Sequence, residues 1–165
     1  MLDVIKSRRS IRRFKKQAVD EKLVKEIIEA GTWAPSGLNN QPWKFVVIRS
    51  PEVKDKIAEL TRYRKIIQEA PQCIAVFLDT ALSYDRTKDI QAIGACIQNM
   101  LLAIHALDLG GVWLGEILKN SESVMELLGV SPALEFMALV ALGYADEKNV
   151  TSQRKKLDEV ILSEI

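Results

Sequence analysis

The chain has 165 residues, 18.5 kDa, 48% of them apolar and 27% charged, with a formal net charge of +1. These values predict one domain spanning 1–165. They argue against a disordered chain, a membrane span or a general affinity for nucleic acid. Two cysteines, Cys73 and Cys96, are too few for a disulfide framework, and Asp3, Lys6, Arg8 and Arg9 interrupt any signal-like apolar run, so a cytoplasmic location is expected.

Residues 3–7 predict a short helix or turn. Asp20 is expected to cap a second helix, with Leu23, Val24, Ile27 and Ile28 on one face and Gly31 as its stop. The loop Pro35-Ser36-Gly37-Leu38-Asn39-Asn40-Gln41-Pro42 lies between Trp33 and Trp43, and both indoles are expected to anchor it in the core. Residues 43–49 form a strand that is apolar on both faces, which predicts a central place in the sheet. Ser50-Pro51 opens a helix that either runs on to Glu69 or splits near Arg62, and Pro71 ends it. Residues 73–78 are a second buried strand.

A long helix over about 86–108 carries the stripe Ile90, Ile93, Ile97, Leu101 and Ile104, with the small residues Ala92, Gly94, Ala95, Cys96, Ala103 and Ala106 round the rest. It is apolar nearly all round, so it either forms a subunit interface or lies centrally under one sheet. Residues 109–115 predict a glycine-containing strand, Ser121 caps a helix that Gly129 stops, and 135–144 form the last strand. The charged tail 145–165 ends in Val160-Ile161-Leu162, too apolar to float free. Helices and strands interleave, as in an α/β or α+β sandwich.

Charge is unevenly placed. Seven of the first sixteen residues are Lys or Arg, and Arg154-Lys155-Lys156 forms a second basic knot, which suggests a local anion site on a near-neutral chain. His105, the only histidine, lies within a helix far from any nucleophile elbow, which argues against Ser–His or Cys–His catalysis. Two distant cysteines and one histidine give no metal-ligand spacing. Neither G-x-G-x-x-G nor a P-loop is present. What remains are anion-binding and hydrogen-bonding groups: the Arg8-Arg9-Ser10-Ile11-Arg12 fork and the amides and hydroxyl of 35–41. Such a set suits a phosphorylated cofactor that carries its own reactivity. The alternative is a solvated basic face beside an ordinary turn.

The runs Arg8-Arg9-Ser10-Ile11-Arg12-Arg13-Phe14 and Ala34-Pro35-Ser36-Gly37-Leu38-Asn39-Asn40-Gln41-Pro42-Trp43-Lys44-Phe45 resemble the two N-terminal signatures of the FMN-dependent nitroreductases. Gly111-Val112-Trp113-Leu114-Gly115-Glu116, Leu142-Gly143-Tyr144-Ala145 and Arg154-Lys155 extend the resemblance over nearly the whole chain. It implies an α+β fold with a central, mostly antiparallel sheet flanked by helices, and a tail beyond Leu157 exchanged in an intertwined homodimer. By this resemblance Arg8 and Ser10 hold the FMN phosphate, beside Arg9, Arg154 and Lys155. Arg12 faces the N1/O2 edge of the flavin. Pro35, Ser36, Gly37 and Asn39 reach across from the other subunit, and Gly115 lies near the reactive centre. NADH or NADPH is the implied electron donor and a nitroaromatic, quinone or similar small molecule the acceptor, in a ping-pong order with no side-chain general acid. A flavin-binding sensor or store without turnover, or a flavin reductase or dehalogenase, fits the same motifs.

This chain departs from the family at Arg62 and Lys65, where many relatives carry an Asn near the flavin, and at Lys156, where a Pro is common. The short connection between the first two strands predicts a small lid and an open pocket.

Overall fold

The computed structural model describes residues 1–147 and 150–165; the predicted tail's Lys148 and Asn149 lie outside the described residues. The order is α1 (Leu2–Ser7), α2 (Glu21–Thr32), β1 (Trp43–Ile48), α3 (Pro51–Ala58), α4 (Arg64–Glu69), β2 (Gln72–Asp79), α5 (Arg86–Ala106), β3 (Gly110–Leu114), α6 (Ser121–Leu128) and β4 (Leu134–Gly143), with short 3-10 turns at 37–39, 116–120 and 157–159. The four strands form one sheet in the order β1-β2-β4-β3, and every pairing is antiparallel. Among the described residues no helix is long and apolar enough to cross a membrane.

Both faces of the sheet are covered. Ile74, Val76 and Leu78 of β2 turn toward α2 and α5, in a core with Ile27, Ile93, Ile97, Met100 and Ile104. The alternate residues Cys73, Ala75 and Phe77 turn toward α3, α4 and α6, against Ile57, Ile67 and Val124. This explains a misplaced element: β1 is an edge strand, not a central one. Its Phe45 and Val47 meet the first core and Val46 and Ile48 the second, so its two-sided apolar pattern reports two covered faces and not a central position.

The 50–69 helix does split. α3 ends at Ala58 and α4 begins at Arg64, leaving a connector at 59–63. Asp20 caps α2 as expected, accepting from the Lys22 N–H at 2.8 Å. Ser121 is instead the first residue of α6, after Asn120 at the cap, while Gly129 ends that helix with φ +60°.

Gly31 is not a stop. α2 continues to Thr32, and a Cβ on Gly31 would lie 2.7 Å from Met100 Cγ and 3.1 Å from Cys96 Sγ. The glycine lets α2 and α5 approach, at a helix-propensity cost of roughly 1 kcal/mol. Gly31→Val is therefore expected to destabilise the fold by about 1–3 kcal/mol through overpacking against a buried Met100. A denaturant midpoint no lower than wild type would show that the contact is loose.

Of the two readings of α5, the structure bears out a central helix under the sheet. One face, with Ile93, Ile97, Met100 and Ile104, lies under the sheet. Its small residues divide: Ala92 and Cys96 are buried in that core, whereas Ala106 is exposed and, among the described residues, nothing stands within 4 Å of where a Gly94 Cβ would sit.

Candidate functional site

The segment after α1 runs extended along the open edge of β3. Ser10 bridges Gly111 in parallel, and the Ile11 N–H donates to Gly111 O at 3.1 Å. Gly110 is needed here, because a Cβ would sit 2.7 Å from Ile11 Cγ2. Further on, Phe14 bridges Ala145, the Lys15 N–H donates to Tyr144 O at 2.9 Å, and the Asp146 N–H donates to Arg13 O at 3.0 Å. The chain leaving β4 is thus laced to the N-terminal basic segment, and the tail beyond it can turn back over that segment.

The result is a cleft of about 250 Å³ lined by Arg8, Arg9, Ser10, Arg12, Ser152 and Arg154, along with Val150 and Thr151. Among the described residues none of these arginines forms an ion pair. Glu147 stands at the edge, accepting from the Arg12 backbone N–H at 2.5 Å. Burial holds the Arg8 pKa below its ordinary value, and the like charges of Arg154 and then Arg9 lower it further. Arg9 donates through Nη1 to Lys6 O at 2.6 Å and Arg8 O at 2.9 Å, while its buried Nε has no acceptor among the described residues. Arg12 folds back through Nη1 onto Ser10 O at 3.2 Å, and Arg154 donates to Ser152 Oγ. The cleft is rich in donors and repels itself, the electrostatic condition that an anion relieves. Lys155 is exposed and does not line it.

The 35–41 loop is held elsewhere on the same chain. Three non-glycine residues, Leu38 (φ 54°), Asn39 (φ 54°) and Gln41 (φ 46°), occupy the left-handed region, a conformation that costs about 1–2 kcal/mol for a residue such as leucine. Ser36 Oγ accepts from the Gln41 N–H at 3.0 Å, and Asn40 Nδ2 donates to Asp89 Oδ1 at 2.7 Å and Leu82 O at 3.1 Å. Gly37 admits the Tyr84 ring, whose Oη would be 1.9 Å from a Cβ. Pro35, Ser36, Gly37 and Asn39 do not line the basic cleft of their own chain. Nor do both indoles anchor the loop: Trp43 is buried, but Trp33 is 81% exposed.

Gly115 follows β3, and only Trp113 Nε1, at 3.9 Å, lies within 4 Å of a Cβ position. Unlike Gly110 and Gly111, it is not required by internal packing, so its bare peptide faces open space.

These arrangements can be set beside known proteins. The chain matches the Nitroreductase family over residues 5–63 and 59–144. A Methanothermobacter thermautotrophicus protein, provisionally designated NADH dehydrogenase/NAD(P)H nitroreductase, is 34% identical over 149 residues, 89% of this chain and 78% of its own. A Thermus thermophilus NADH dehydrogenase is 33% identical over 190 residues, with 94% and 91% covered. The chain belongs to the nitroreductase family. Among solved structures, a provisionally designated nitroreductase from Desulfovibrio desulfuricans, crystallised with FMN, is 47% identical with a TM-score of 0.94, covering 99% of this chain and 96% of that one.

This nitroreductase also holds a contact that motif reading passed over. Glu116 Oε2 accepts from Thr61 Oγ1 at 2.5 Å, and Glu116 Oε1 pairs with Lys119 Nζ at 2.5 Å. The hydrogen bonds from Lys119 and then Thr61 hold its carboxyl below the usual range. Asn120 Nδ2 donates to Leu60 O at 2.7 Å. The 59–63 connector is thereby fastened to the turn that carries Gly115. Near this connector Arg62 stacks over the Tyr63 ring at 5.0 Å and Lys65 is exposed. No spacing rule marks Thr61, because its partner is 55 residues away.

Proposed function

We propose that this protein is an FMN-dependent NAD(P)H oxidoreductase, cytoplasmic and active as a homodimer with the cofactor at the subunit boundary. The observation that carries this is the meeting of Arg8, Arg9, Ser10, Arg12 and Arg154 around one cleft whose arginines find no acidic partner among the described residues. A phosphate group fits there: the orphaned Arg9 Nε and the crowded Arg8 lack only an acceptor. The bare peptide at Gly115 suits the close approach of a flat ring. When bound, FMN supplies the redox chemistry, accepting a hydride from NADH or NADPH and delivering it to an acceptor.

The residues of the chain have supporting roles. Arg8 and Ser10 anchor the phosphate, with Arg9 and Arg154 around them; Lys155, which does not line the cleft, is left out of this role. Arg12 holds a permanent charge for the N1/O2 edge of the ring, where it favours the reduced cofactor. Pro35, Ser36, Gly37 and Asn39 belong to the partner's half of the site, which accounts for a strained polar loop that does not line its own cleft. Several exposed apolar surfaces call for a second copy: Trp33, the groove of about 650 Å³ between Val4, Trp33, Leu102 and Ala106, and the tail residues Leu157, Val160 and Leu162. Donor and acceptor take the same face in turn, and the short α3–α4 connection leaves that face open to nitroaromatics and quinones alike.

The decisive experiment examines the purified protein for bound yellow cofactor, for dimeric mass, and for NADH or NADPH oxidation with and without a quinone. A flavin store would show no acceptor-dependent rate. A colourless monomer that ignores added FMN would end this reading. Within it, Arg12→Gln is expected to retain FMN and lower its two-electron potential by roughly 30 mV, equivalent to about 1.4 kcal/mol of lost charge stabilisation. An unshifted potential would remove Arg12 from the ring edge.

A further inference from the structure

A second donor-rich cleft, about 650 Å³, lies where the end of β1, the first turn of α3 and the Ala70-Pro71-Gln72 entry to β2 meet. None of the flavin-site residues lines it. Lys16, Arg49, Lys54, Glu69 and Gln72 do.

Gln72 is 2% exposed. Its Oε1 accepts from Arg49 Nε at 3.2 Å. Because a guanidinium can only donate, this contact fixes the orientation of the amide. Its Nε2 is left buried without an acceptor among the described residues. Lys54 is 6% exposed and donates through Nζ to Ala70 O at 2.5 Å. Among the described residues it has no carboxylate partner, and the exposed Glu69 pairs with neither Lys54 nor Lys16. A lysine so deeply buried is nearly always paired. The charge reaches the neighbouring strand: burial pushes the Cys73 thiol up to about 12, and Lys54 pulls the other way. Gln72 Nε2 lacks an acceptor and Lys54 Nζ has one backbone carbonyl but no counter-charge among the described residues, and both residues border the same cleft.

We propose that this cleft binds a small oxyanion, with Lys54 Nζ and Gln72 Nε2 as its buried donors and Arg49 and Lys16 at its mouth. The ligand brings the oxygen lone pairs that the fold itself does not provide, as a carboxylate or a phosphate group does. The site is independent of the flavin reading, since no residue is shared.

The test is calorimetric titration of inorganic phosphate, and separately of acetate, into FMN-saturated protein, in which the first cleft is filled. A parallel titration into apo Arg8→Ala, in which that cleft is impaired, reads the second site even if the flavin assignment fails. One site per chain is expected for at least one anion, with acetate binding only if a carboxylate suffices. Lys54→Met should weaken it about tenfold or more. Gln72→Glu places a carboxylate where the ligand would sit, so it should abolish binding and raise the melting temperature, a result that a misfolded variant could not give. Failure of both anions to bind, or binding that both substitutions leave unchanged, overturns the proposal.

Discussion

Replacing Arg8 with Ala is expected to strip FMN from the protein on dialysis, with the dissociation constant rising roughly 10- to 150-fold. That range corresponds to the 1.5–3 kcal/mol typical of a hydrogen bond to a charged group. The same change should leave the cofactor-free protein no less stable. In the folded chain Arg8 is partly buried, repelled by Arg154 and Arg9, and joined to no acid among the described residues, so its removal relieves repulsion. The two effects have opposite signs. Flavin fluorescence in the filtrate measures the first, and thermal melts of apo and FMN-loaded protein measure the second. Undiminished retention would refute the phosphate role. An apo melt lowered by several degrees would mean instead that Arg8 supports the fold and that any loss of cofactor is secondary.

How far the sequence can be read depends on how local each determinant is. The Asp20 cap, the Gly129 stop and the fully buried β2 follow from neighbouring residues, and periodicity recovers them. Charge placement pointed to a local anion site, and Arg154 does meet Arg8 and Arg9, but Lys155 and Lys156 of the same knot stay exposed outside the cleft. Strand order was not legible: β1 resembles a central strand because helices cover both faces, and burial pattern does not report hydrogen-bonding neighbours. Gly31 resembles a helix stop until the partner helix and Met100 are in place. Trp33 illustrates the same limit from the other side. An indole beside a turn suggests core, yet the chain leaves it in solvent. The Thr61–Glu116 bond and the Gln72 amide also depend on distant pairings, the kind of contact that a linear pattern does not encode.

Asp89→Asn is expected to cost about 3–5 kcal/mol, the range for breaking one side of a buried charged network, and to lower the melting temperature by roughly 6–20 °C. Asp89 is fully buried at the start of α5. Its carboxylate accepts from Asn40 Nδ2 at 2.7 Å, Ser83 Oγ at 2.6 Å, the Tyr84 N–H at 3.1 Å and the Asp85 N–H at 3.2 Å. Burial alone would raise its pKa, but the bonds from Ser83, Asn40, Asp85 and Tyr84 outweigh it and hold the carboxyl below its ordinary value. An Asn of the same shape turns an NH2 toward these donors and leaves some of them unmade. With the folded pKa depressed, the contribution of Asp89 is fully present above the unfolded pKa of about 4 and is lost as pH falls through the lower, folded value. Wild-type stability should therefore decline below about pH 4 more steeply than that of Asp89→Asn. The damage should centre on the 36–42 loop, since Asn40 is the link that keeps Leu38, Asn39 and Gln41 in left-handed backbone. Limited proteolysis should then cut the variant within that loop while wild type resists. Matching melts together with an intact loop would reduce Asp89 to an ordinary helix-start carboxylate and leave the strain at 38–41 without a cause.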